Sequence, residues 1–136
     1  ADLPKKKPAD WLNALASPEL YVRRVARRLL VEKAGESILP NLLEKAKDID
    51  KDETLLEYLW TARSLRAKIP QDLFKRLAES ENFRIRAAAI RLGYDKPDAI
   101  DDPHPRVRLE AVCALHSQGD LKSIETLIRA TDYETL

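Results

Sequence analysis

Apolar residues along the chain recur three to four positions apart, the interval that returns side chains to one face of an α-helix. Val22, Ala26 and Leu29 form one such stripe, Ile85, Ala89 and Leu92 a second, and Val107, Ala111 and Ala114 a third. Between the first two, Ile38, Leu39, Leu42, Leu43 and Ala46 predict a helix over residues 36–48. Pro40 falls in its first turn, where a missing N–H matters little. Leu55, Leu59 and Ala62, flanked by Leu56, Trp60 and Leu65, predict a helix over 53–67. A short helix after Pro70 carries Leu73, Phe74 and Leu77, and another over 9–15 covers the start of the array with Trp11. After Gly119 and Asp120, Leu121, Ile124, Leu127 and Ile128 predict a last helix. Few windows alternate in the strand manner or concentrate β-branched residues. The expected class is all-α, with about eight helices in one domain over 1–136 and a flexible leading segment over 1–8.

The three stripes share a local code. Ser17, Ser80 and Asp102 each stand five positions before the β-branched residue, which an arginine follows (Arg23, Arg86, Arg108), and alanine comes three positions after that arginine. Serine and aspartate are expected as N-caps, accepting the free N–H groups that open a helix, with Pro18 and Pro103 as first helical residues. The alanines allow a neighbouring helix close approach, and Gly35 is expected to end the first unit in a left-handed conformation. Helices of this kind joined by short polar turns predict an α-solenoid or a compact right-handed array. The units are unevenly spaced: an extra hairpin precedes the second, and only a shortened link precedes the third. Residues 94–101 must therefore replace a helix by a loop or a single turn.

The run Asp102-Pro103-His104-Pro105-Arg106-Val107-Arg108-Leu109-Glu110-Ala111-Val112 resembles a HEAT repeat of the short type also seen in phycobilisome-lyase-like proteins. The resemblance covers most of 17–131 and implies an armadillo-type superhelix with one irregular, shortened repeat. More narrowly, Tyr21-Val22-Arg23-Arg24-Val25-Ala26-Arg27-Arg28-Leu29-Leu30, Leu55-Leu56-Glu57-Tyr58-Leu59-Trp60 and Arg86-Ala87-Ala88-Ala89-Ile90-Arg91-Leu92-Gly93-Tyr94 are similar to the helical middle region of large planctomycete-type haem-binding proteins. In those proteins a sugar-dehydrogenase-like propeller precedes the region and a c-type cytochrome domain follows it. That similarity implies an exported protein in which this segment is a spacer. Haem binding does not carry over, because the chain has no Cys-x-x-Cys-His, and residues 94–101 depart from the pattern. The absence of methionine and the abrupt start and end predict a piece of a longer protein.

Charge and chemistry narrow the function. The 24 basic and 23 acidic residues leave a net charge of +1, so a role on nucleic acid needs local clustering. Arg23, Arg24, Arg27 and Arg28 crowd two helical turns, and Arg84, Arg86, Arg91, Arg106 and Arg108 recur later. On one shared face they would neutralise phosphates; alternatively, Arg23, Arg86 and Arg108 bridge neighbouring repeats through carboxylates, for which the planar guanidinium fork is suited. The second reading is preferred, because acids are as numerous as bases. One cysteine excludes an intrachain disulfide, and Cys113 with His116 supplies too few ligands for a structural zinc. Cys113 is expected as a buried inert thiol, and His104 is expected to face solvent. Neither Trp11 nor Trp60 has an acid one helical turn onward, so a base-stacking glycosylase-type site is not expected. No catalytic, cofactor or metal residues are assigned. The expected role is a non-catalytic scaffold or docking module for another protein or for neighbouring domains, with nucleic-acid binding as the alternative and no membrane partner. The candidate interaction surface comprises Arg23, Arg27, Arg86, Arg91, Arg108, Tyr94 and Asp95.

Overall fold

A computed structural model describes residues 2–118 and gathers them into helices, with no strand among them. The chain divides into two compact units, Ala1–Leu73 and Phe74–Leu136. The helix expected after Gly119 lies outside the described residues.

In the first unit a 3-10 turn, Leu3–Lys5, leads into α1 (Pro8–Ala14). Trp11, buried in α1, donates its indole N–H to the Leu3 carbonyl at 2.7 Å. Next comes α2 (Leu20–Leu29), which widens into a π turn, Leu30–Ala34, before Gly35 breaks it at φ +63°. A single helix was expected to run to Gly35. Leu29 and Leu30, at the junction of α2 and the π turn, are both buried. The next element also starts differently from the expected 36–48 helix: a 3-10 turn, Gly35–Ile38, precedes α3 (Leu39–Ala46), with Pro40 in its opening turn. Helix α4 (Asp52–Ser64) buries Leu55, Leu59 and Ala62 completely, as their spacing predicted. It ends in a Schellman closure, with Ala67 N–H donating to the Ala62 carbonyl at 3.0 Å over Arg66 at φ +61°. Within this unit α1 packs on α2 and α3 on α4, and the π turn touches α1 and α4. Tyr58 crosses the core and donates its hydroxyl to the Leu12 carbonyl at 2.8 Å.

The boundary between the units falls within α5 (Gln71–Ala78). In the second unit α6 (Phe83–Arg91) packs on α7 (Pro105–Gln118), and a 3-10 turn, Pro97–Asp101, packs on α7. That turn explains the shortened link. Ala99 and Ile100 project from it into a core of Ala87, Ile90, Val107 and Ala111, filling space a full helix would otherwise occupy. Gly93, at φ +109°, closes α6, and Tyr94 N–H donates back to the Ala89 carbonyl at 3.1 Å. Ala26 and Ala89 are fully buried and Ala111 nearly so, consistent with their reading as close-contact positions.

Candidate functional site

The three turns that precede α2, α6 and α7 are built alike. Ser17 Oγ accepts the N–H of Glu19 at 3.2 Å, Ser80 Oγ that of Asn82 at 3.2 Å, and Asp102 Oδ1 that of His104 at 2.9 Å. These residues therefore close the turn before each helix and are not its N-caps, which corrects the expectation from sequence. The helices open three positions later, after Glu19, Asn82 and His104, and Pro18 and Pro103 lie in the turns. The reason is local: an Asx- or Ser-type turn closes on the second following N–H, ahead of any helical residue. Asn82 is the cap of α6, with Oδ1 accepting Arg84 N–H at 2.9 Å. At α7 the His104 ring takes that role, with Nδ1 accepting Arg106 N–H at 3.0 Å. His104 was expected to face solvent, but it is half-buried and stacks on Phe83 with centroids 3.6 Å apart.

From the first turn of each helix an arginine reaches back over that turn. Arg23 Nη1 donates to the Ser17 carbonyl at 2.7 Å, Arg86 Nη1 to that of Ser80 at 2.9 Å, and Arg108 Nη1 to that of Asp102 at 2.7 Å. The same hydrogen bond thus recurs wherever the repeated code occurs. Arg86 also spans to the next turn, binding Asp102 through Nε at 3.0 Å and Nη2 at 3.1 Å, while Arg108 holds the same residue's carbonyl. Burial pushes the Asp102 carboxyl up, yet the Arg86 and His104 hydrogen bonds and the charges of Arg86 and Lys96 together hold it below its ordinary 3.8. In the first unit, Glu57 of α4 receives both Arg23, at 3.7 Å, and Arg27.

The residues singled out from sequence are distributed as follows. Arg23, Arg27, Arg86 and Arg91 all meet carboxylates, Arg91 through Glu110 at 3.2 Å, and Arg108 is buried. Tyr94 packs its ring on Phe74 at 5.4 Å, and Asp95 is exposed. Cys113, expected to be buried, is exposed, because the stripe of α7 turns inward through Val107 and Ala111. Sequence reasoning did not single out the outer face of α2. There Tyr21 is 77% and Leu20 49% exposed, beside exposed Arg24 and Arg28, which have no ion pair among the described residues. The arginine quartet was legible, but its split into an inward pair (Arg23, Arg27) and an outward pair (Arg24, Arg28) depended on where Glu57 lies.

Between α1 and α3 an open cleft of about 450 Å³ is lined by apolar Pro8, Ala9, Leu12 and Ile38 and by polar Asn13, Asn41, Glu44, Lys45 and Asp48. Among the described residues no cluster of His, Cys, Asp and Glu is fit to hold a metal ion, and no helix is long and apolar enough to cross a membrane. Comparison of the chain with family models, with curated proteins and with solved structures yields no match.

Proposed function

We propose that the chain is a non-catalytic scaffold or docking module of HEAT-like repeats stacked as an α-solenoid, serving as a spacer or platform for another protein or for neighbouring domains. The observation that carries this is the turn clamp, recurring at three turn–helix junctions with the same donor, acceptor and sequence separation. A repeated local device is what a chain of like units needs, because each unit contacts chiefly its neighbours. The Arg86–Asp102 fork supports the same view, since within the second unit it joins the arginine of one turn–helix repeat to the turn of the next.

Two measurements test the proposal. Small-angle scattering of the chain should give a radius of gyration clearly above the roughly 14 Å of a globular chain of this length. A value at the globular figure would refute the stack. For docking, the chain is melted alone and joined to any further segments its gene encodes. A higher melting temperature or a change of shape is expected on joining, and neither change would refute a spacer that packs on its neighbours.

A further inference from the structure

We infer that the outer face of α2, formed by Leu20, Tyr21, Arg24 and Arg28, is a docking surface for an acidic protein segment that carries an aromatic or aliphatic side chain. This deepens the docking function proposed above and rests on it. The first ground is a local charge imbalance. Four arginines occupy two turns of α2, and Glu57 answers only Arg23 and Arg27. Arg24 and Arg28 stand one turn apart on the exposed face with no ion pair among the described residues. Like charges at this spacing repel, and an anionic partner relieves that repulsion.

The second ground is a comparison of equivalent positions. In α6 the residue matching Tyr21 is Arg84, which lies 5.0 Å over the Phe83 ring, and in α7 it is Arg106, which pairs with Glu110 at 3.9 Å. The residue of α6 that matches Arg28 is Arg91, also held by Glu110. Where α6 satisfies both outward positions internally, and α7 the first of them, α2 leaves both the ring of Tyr21 and the guanidinium of Arg28 open. Tyrosine and arginine side by side are the types enriched at the centres of protein interfaces.

Charge complementarity therefore selects an acidic occupant, and the apolar half of the patch selects a protein. Two unpaired arginines about 6 Å apart along the helix axis are too few for phosphate-backbone binding, which draws on several released counterions. The chain's net charge of +1 adds no wider field to help them. Exposed Leu20 and Tyr21 likewise offer a nucleic-acid backbone nothing.

The test uses a displayed library of random linear peptides selected on the intact chain. Enriched peptides should be net acidic with at least one aromatic or aliphatic residue. Their affinity should fall at least tenfold on the double charge reversal R24E/R28E and several-fold on Tyr21→Ala. It should stay unchanged on Lys68→Glu, a single charge reversal at another exposed position of the same unit. Far-UV circular dichroism confirms that the variants are folded. Failure to enrich, enrichment of non-acidic peptides, or full binding to R24E/R28E would overturn the inference. So would equal competition by a single-stranded oligonucleotide, which would mark a simple polyanion site, or self-association abolished by R24E/R28E, which would mark a contact between copies. None of these results touches the melting comparison with flanking segments, so docking can stand while this surface fails.

Discussion

An Arg86→Lys substitution keeps the positive charge of α6 and removes the planar fork by which one side chain serves two turns. In the native chain Nε and Nη2 hold the two oxygens of Asp102 at 3.0 and 3.1 Å, while Nη1 reaches the carbonyls of Ser80 at 2.9 Å and Glu81 at 3.2 Å. An ammonium on a flexible stem can meet the carboxylate or the carbonyls, but not both with good geometry. The net loss is about one charge-assisted hydrogen bond, worth about 1.5–3 kcal/mol. Asp102 is only 8% exposed, so water replaces little of what is lost. A destabilisation of about 2 kcal/mol is expected, against about 0.5 kcal/mol for Arg84→Lys, whose exposed side chain lies over the Phe83 ring. Urea unfolding followed by circular dichroism measures the difference. Amide hydrogen exchange localises it to α6 and α7, whereas Trp11 and Trp60 report only the first unit. Acid adds a second readout. Because the Asp102 carboxyl lies below its ordinary 3.8 in the folded chain, its contribution is full above that pH and is lost as pH falls through the folded value. The acid slope should shrink in Arg86→Lys. A variant within about 0.5 kcal/mol of wild type, with unchanged exchange in α6 and α7, would show that the clamp holds nothing.

Other perturbations have equally definite outcomes. Tyr58→Phe removes the hydroxyl bound to the Leu12 carbonyl and should cost about 1–2 kcal/mol in urea unfolding. Burial raises the Tyr58 phenol above its ordinary 10.0, so its contribution is full below that pH and disappears as pH climbs through the folded value. Melting between pH 9 and 11 should therefore fall more steeply in wild type than in Tyr58→Phe, and parallel curves would contradict the burial. Arg66→Gly relieves a non-glycine residue at φ +61° and should stabilise by about 0.5–1 kcal/mol, a loss of stability being the contrary result. Ala89→Arg and Ala111→Arg force a guanidinium into packed positions and should each cost about 3–5 kcal/mol, which wild-type melting would disprove.

The hydrophobic period alone determined that the chain is helical and most of the residues that face inward. Leu55, Leu59, Ala62, Ile85, Ala89, Val107 and Ala111 are all buried, because a 3.6-residue repeat can hide one face only as a helix. Sequence also disclosed the recurring Ser/Asp, arginine and alanine code and the missing helix at 94–101, since both are matters of spacing along the chain. It did not disclose what the code does. Whether Ser17 caps a helix or closes a turn depends on which N–H group its hydroxyl meets. Whether an arginine is inward or outward depends on where a distant carboxylate such as Glu57 or Asp102 arrives. Those partners lie 16 to 34 residues away in sequence and become neighbours only when the helices pack. Periodicity is a property of one helix, whereas pairing and exposure are properties of several at once. The outward pair Arg24 and Arg28, like the plug formed by Ala99 and Ile100, could therefore be assigned only once the tertiary structure had placed their surroundings.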